Sequence, residues 1–199
     1  MPRPRCERCQ RPSEHCLCAL IPSLGSRTRV LLLQHTSEAS HALNTARLLA
    51  LGLQHAQLLV GEVFDELGTL LAAPGHRPVL LFPGADAQPL TAGGQQDDRP
   101  LLLVVPDGTW RKARKLLYLN PVLAALPKVT LKAGGVSRYR LRKAPKEGAL
   151  STLEAVVRAL NELECPNSFD GLLAPFDALI DGQIKAMGDA TYQRNHGAG

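Results

Sequence analysis

The chain has 199 residues, a formal net charge of +5, 45% hydrophobic residues and 21% charged residues. These proportions exclude global disorder and allow a substantial core. No apolar run approaches the ~20 residues of a membrane span, and the opening MPRPRCERC lacks the apolar stretch of a secretory signal. A cytoplasmic protein with reduced thiols and no membrane partner is therefore expected.

Charge is unevenly spread. Residues 107–146 hold eleven Lys or Arg against a single acid, Asp107, so the remainder of the chain is net acidic. A basic block of this kind suggests a polyanionic partner, nucleic acid first; a solvated face with no partner is the alternative.

The N-terminal stretch CERCQRPSEHCLC holds four of the five cysteines, Cys6, Cys9, Cys16 and Cys18. A C-x2-C pair followed closely by a C-x-C pair suits a tetrahedral four-thiolate centre, with zinc the best match. Such a closed site has no open coordination position and predicts a structural knuckle. Free cysteines and an iron–sulfur or redox centre are the other readings. His15 lies between the pairs as a possible substitute ligand. Arg3, Arg5, Arg8 and Arg11 decorate the segment and could grip phosphates. Cys165 stands alone.

Downstream, RVLLLQH (29–35) reads as a buried strand. A helix is expected over about 40–51 from Leu43, Ala46, Leu49 and Ala50. AQLLVGE (56–62), PVLLFPG (78–84) and LLLVVPDG (101–108) read as further strands, with a short helix in FDELGTLLAA and a polar loop over 85–100. Leu- and Val-rich strands alternating with helices predict an α/β fold with a mostly parallel sheet covered on both faces. TWRKARKLLYL predicts an amphipathic helix with Trp110, Ala113, Leu116 and Leu117 on one side and Arg111, Lys112, Arg114 and Lys115 on the other. KVTLK (128–132) and SRYRLRK (137–143) could be strands or extended loops. Helices follow over 151–163 and 172–187, and the chain from Gly188 reads as frayed. The expected organisation is a knuckle and basic arm over 1–28, a catalytic domain over 29–190 and a flexible tail over 191–199.

In open α/β sheets, ligands bind beyond the carboxyl ends of strands. FPG (82–84) and PDGTW (106–110) are the strand ends that draw attention. Gly108 for the turn and Thr109 as a helix cap have a purely structural reading. Asp107 does not: a carboxylate there could accept a proton or orient a ligand amine. Ser151 and Glu154 fit a capping box, Glu38 could be a solvated loop acid, and His35 a satisfied core histidine. Rossmann, P-loop, H-E-x-x-H and G-x-S-x-G patterns are absent from the sequence.

Taken in order, CERCQRPSEHCLC, QHTSEASHALNTARLL, LLFPG, DGTWRKARKLL, YRLRKAP and LSTLEA resemble the DTW-domain proteins, bacterial tRNA-uridine aminocarboxypropyltransferases. The Asp-x-Thr-Trp signature is Asp107, Thr109 and Trp110. The resemblance implies a fold related to the knotted SPOUT methyltransferases. It also implies S-adenosylmethionine as donor and transfer of its 3-amino-3-carboxypropyl group to N3 of a tRNA uridine, in the variable loop, releasing methylthioadenosine. Asp107, Thr109 and Trp110 would be catalytic. Leu81, Phe82, Pro83, Asp107, Gly108, Thr109, Trp110, Ser151 and Thr152 would hold the donor. Arg111, Arg114, Lys115, Arg138, Arg140, Arg142 and Lys143 would hold tRNA, with Trp110 and Tyr139 available for stacking. A monomer without an obligate protein partner is expected. A SPOUT-type RNA methyltransferase and a non-catalytic zinc-knuckle RNA-binding protein are the alternatives.

Overall fold

Alternation along the strands decides how this chain packs. In β1 (Arg29–Gln34), Val30 and Leu32 join one apolar cluster while Leu31 and Leu33 join another. In β5 (Leu101–Asp107), Leu103 and Val105 belong to the first cluster and Val104 to the second. A sheet that buries both faces needs helices on both, which is why its strands read as continuous apolar runs. The computed structural model describes residues 4–91, 97–132, 134, 137–141 and 150–196.

The remaining strands are β2 (Ala56–Val60), β3 (Arg77–Leu81), β4 (Gln88–Pro89) and β6 (Lys128–Thr130). Among the described residues they form one sheet in the order β2-β1-β5-β3-β6-β4, and every pairing is parallel. The first face is covered by α2 (Ala46–Gly52), α6 (Thr152–Leu163) and α7 (Leu173–Met187), the second by α3 (Leu67–Leu71), α4 (Trp110–Leu119) and α5 (Pro121–Ala124). The expected α/β class with a mostly parallel sheet is thus what the chain adopts. None of the helices among the described residues is long and apolar enough to cross a membrane.

Three local differences from the sequence expectations have physical causes. The helix expected over 40–51 begins only with α2 at Ala46, and a separate short helix α1 (Thr36–Ala39) precedes it. Between them, Leu43 N–H donates to His41 Nδ1, and the Asn44 side chain donates to the Ala39 carbonyl and accepts from Arg47 N–H. Such side-chain bonds to the backbone compete with helix formation and here begin α2 late. Of the two readings open for 137–143, strand or extended loop, residues 137–141 take not the strand but a loop ending in a turn, while Arg142 and Lys143 lie outside the described residues. After Gly188, with φ of 81°, the chain resumes as α8 (Asp189–His196) through a stretch that reads as frayed.

Candidate active site

β1 and β5 pair in parallel with Gln34 opposite Asp107. Paired residues of parallel strands point to the same face, so both side chains turn towards α6. Both are buried, Asp107 at 8% exposure. Gln34 Nε2 donates to Asp107 Oδ2 at 2.7 Å and to Asn44 Oδ1 at 3.1 Å, and Asn44 Nδ2 donates back to Gln34 Oε1 at 3.3 Å. The other Asp107 oxygen accepts from the Thr152 hydroxyl at 2.5 Å. Burial pushes the Asp107 carboxyl above the usual carboxylate range, helped by the nearby Glu38 charge; the bonds from Thr152 and Gln34 act against it.

The turn after Asp107 is sterically tight. Gly108 has φ of 151°, and a Cβ there would lie 3.1 Å from Cβ of Lys112. Lys112 Nζ in turn binds Glu38 Oε1 at 2.6 Å, so the loop after β1 is tied to the first turn of α4. Thr109 caps α4 by accepting from Lys112 N–H. Glu38 is therefore a partnered, half-buried acid rather than a solvated one.

A cavity of about 330 Å³ opens at the carboxyl ends of β3, β5 and β6, between the N-termini of α4 and α6. This is within the size range of small-molecule sites. Leu81, Phe82, Pro83, Val105, Pro106, Trp110, Val129 and Leu131 form its apolar wall; Thr130, Lys132, Ser151, Thr152 and Arg158 supply polar groups. Trp110 is 43% exposed and meets Phe82 edge-on, with ring centroids 5.8 Å apart. Seven of the nine residues expected to hold a donor line this one cavity: Leu81, Phe82, Pro83, Gly108, Trp110, Ser151 and Thr152. Asp107 and Thr109 do not line it. Asp107 stands behind the wall and reaches the cavity through Thr152.

Ser151 and Glu154 form the capping box in full. Glu154 does more than cap. It is buried and also accepts from the Ser137 hydroxyl and from Arg138 N–H at 2.6 Å, anchoring the segment after β6. Sequence reasoning missed Gln34, Arg158 and this second role of Glu154. Only Gln34 left a signal, as an amide ending an apolar strand.

The basic residues divide into two groups. Arg111 and Arg114 are exposed and have no acid partner among the described residues. Lys115 binds Glu62 Oε2 at 2.6 Å, and Glu62 also takes His35 Nε2 at 2.9 Å. Lys115 and His35 hold the Glu62 carboxyl below its usual range, the Lys115 bond contributing most. Arg138 pairs with Asp177 at 2.7 Å, and Arg140 with Asp181, both acids on α7. Tyr139 rests edge-on against Phe176, centroids 5.7 Å apart, which withdraws its ring from stacking on a base.

At the N-terminus the four cysteine sulfurs lie within 4.8 Å of one another, with Cys6–Cys18 at 3.6 Å and Cys9–Cys16 at 3.8 Å. A tetrahedron with Zn–S bonds of ~2.3 Å has edges of ~3.8 Å, so the set fits a zinc ion. His15 is not part of it; it is exposed, beside Glu14. Backbone N–H groups of Cys9 and Arg8 lower the Cys6 thiol to about 6. Desolvation and the neighbouring sulfurs push Cys18 up to about 12, and a bound cation would favour its thiolate. Cys9 belongs to the main core, which makes the knuckle part of the fold's packing. Two of its arginines stay exposed while bonding the knuckle's backbone, Arg5 to the Gln10 carbonyl and Arg8 to the Cys18 carbonyl, and Arg11 is half-buried near Cys9. Arg3 lies outside the described residues.

The chain is 34% identical over 193 residues to tRNA-uridine aminocarboxypropyltransferase 2 of Drosophila melanogaster, covering 92% of this chain and 76% of the relative. It is 32% identical over 205 residues to the Macaca fascicularis protein of the same name, covering 98% and 68%. It is 30% identical over 192 residues to tRNA-uridine aminocarboxypropyltransferase A of Arabidopsis thaliana, covering 80% and 72%. These relatives are animal and plant proteins, whereas the sequence motifs brought the bacterial branch to attention. No solved structure matches the chain. The DTW domain matches residues 3–184, and the chain belongs to the DTW domain family.

Proposed function

We propose that this protein is a tRNA-uridine aminocarboxypropyltransferase that uses S-adenosylmethionine as donor. The observation that carries the reading is the cavity itself. Residues of two strand ends and two helix N-termini, chosen from the sequence as donor-binding, converge on one space with an apolar wall for a nucleoside and hydroxyls for an amino acid. The curated relatives bear the name of this activity.

In the reaction, N3 of uracil loses its proton to water and bonds to the γ-carbon of the donor's aminocarboxypropyl group, while the S–Cγ bond breaks with its electron pair moving to sulfur, leaving methylthioadenosine. A sulfonium has three C–S bonds, so the carbon facing the base selects the product and positioning dominates. Asp107 takes part as a positioning residue. Because the Thr152 hydroxyl proton is committed to Asp107, the Thr152 oxygen offers the cavity its lone pairs, suited to an ammonium group. Ser151 and Thr152 sit on the first turn of α6, and Phe82 and Trp110 close the mouth with an aromatic pair. Arg111 and Arg114 face outward beside that mouth and would meet tRNA phosphates. The four cysteines would hold a structural zinc.

The test is purified protein with S-adenosylmethionine and tRNA lacking the modification, read by nucleoside mass spectrometry. An aminocarboxypropyl gain on uridine with release of methylthioadenosine is expected. A methyl gain with S-adenosylhomocysteine, or no product from folded protein that binds both substrates, refutes the proposal. Metal analysis should find about one zinc per chain. Replacing Cys6 and Cys9 by Ser should remove it and lower the melting temperature; an unchanged melt would refute the structural role.

A further inference from the structure

We infer that Tyr118 is a stacking platform for an unpaired tRNA base, one nucleotide-binding step out from the active-site mouth along α4; this rests on the tRNA reading above. Tyr118 is 83% exposed, the most exposed of the large hydrophobic side chains. The fold therefore gains almost nothing from its ring, while Leu116 in the same helix is fully buried and does the packing. A single exposed apolar residue needs no explanation; this one has a context that points to a ligand.

That context is its place on the helix. Residues three and four apart share a helix face, so Tyr118 sits one turn beyond Arg114 and Lys115, and two beyond Arg111. Lys115 is engaged by Glu62, but Arg111 and Arg114 have no acid partner among the described residues. An exposed aromatic ring in line with unneutralised guanidinium groups, Arg114 one turn and Arg111 two turns before it, matches how proteins hold single-stranded RNA: cations follow the backbone while a ring takes the face of a base. The helix gives the spacing. Trp110 opens α4 at the cavity mouth, and eight residues at ~1.5 Å each place Tyr118 about 12 Å further along the axis. The base on Tyr118 is thus not the reacting uracil but a neighbour splayed from the same loop. Tyr139, the other tyrosine beside basic residues, cannot serve because its ring is spent on Phe176.

The occupant is RNA rather than protein because the two guanidinium groups on this side of α4, Arg111 and Arg114, have no acid partner among the described residues, while Lys115 is paired with Glu62. The test measures binding of unmodified tRNA to the full chain across a salt series for wild type, Tyr118→Ala, Tyr118→Leu and Tyr118→Phe. Expected are a loss of roughly tenfold for the Ala and Leu variants, near-full retention for Phe, and an unchanged slope of affinity against salt, since no phosphate contact is removed. In turnover the Ala variant should raise KM for tRNA and leave kcat unchanged. Melting temperatures should match, given the exposure of the side chain. Equal binding by wild type and Tyr118→Ala overturns the inference, as it would if a protein partner occupied this face. Retention by Leu, or an altered salt slope, also overturns it. If wild-type protein fails to bind tRNA, the functional reading falls as well, which separates the two failures.

Discussion

The end of β5 and the outer face of α4 are joined by a single turn, yet they are built on opposite principles. At Asp107 both carboxylate oxygens have donors, Gln34 is itself held by Asn44, and the carboxylate is buried. At Arg111 and Arg114 the charges stand in solvent without acid partners among the described residues. The first arrangement fixes geometry at the cost of burying a carboxylate; the second leaves side chains free to follow a polyanion. Disturbing the first should therefore harm turnover, and disturbing the second should harm tRNA affinity and its dependence on salt.

The largest effect is expected at the buried end. Asp107→Ala removes one of the two acceptors of Gln34, leaving it only Asn44, and frees the Thr152 hydroxyl to rotate. Misplacement of reacting groups by ~1 Å costs about 100-fold in rate, so kcat should fall by about that factor while tRNA affinity stays within twofold. Equal loss of tRNA binding would break the distinction between the two regions. Next comes the double variant Arg111→Ala with Arg114→Ala. Affinity for tRNA should drop roughly tenfold, and the salt slope should flatten by about 0.7–0.9 per lost contact. Unchanged kcat at saturating tRNA would confirm the division, and a collapse of kcat would contradict it.

Glu154→Gln sharpens the comparison from the structural side. The buried carboxylate gathers Ser137, Arg138 and Ser151, and its loss should destabilise the fold by about 1–3 kcal/mol, measured by denaturant unfolding. Smaller still is the double variant Arg138→Ala with Arg140→Ala. Both guanidinium groups are engaged by acids of α7, so tRNA affinity should change by less than about twofold. Neutralising Asp177 and Asp181 to Asn should instead strengthen tRNA binding by releasing those cations.

The last effect is one of pH. Asp107 holds its proton in the folded state above its ordinary value of 3.8, where the unfolded chain has released it. Stability is lost as pH rises from about 3.8 through the raised value. Asp107→Asn has no such titration, so the fall in stability across that window should be missing from its pH profile. Denaturant melts across a pH series check this.

How much of this was legible beforehand follows from distance along the chain. The main strands show as Leu- and Val-rich runs, and α6 shows its capping box because both partners lie within four residues. β4 and α5, of two and four residues, are too short to leave a period. The lining of the cavity was largely readable because strand ends and helix starts announce themselves by Pro, Gly, Ser and Thr. Gln34 was not, since its role depends on the register between strands whose paired residues lie 73 apart in sequence. The basic stretches looked alike for the same reason. Only the fold brings Asp177 and Asp181 to Arg138 and Arg140, 39 and 41 residues away, while leaving Arg111 and Arg114 unmatched.

The account stands on the cavity between α4 and α6 being where the donor binds. Ala155 lines it from the first turns of α6, and an Ala155→Phe side chain would project into that space. Calorimetry should show S-adenosylmethionine binding to wild type and none to Ala155→Phe, with the variant still folded and still binding tRNA. Undiminished binding of S-adenosylmethionine to a folded Ala155→Phe protein would contradict the account.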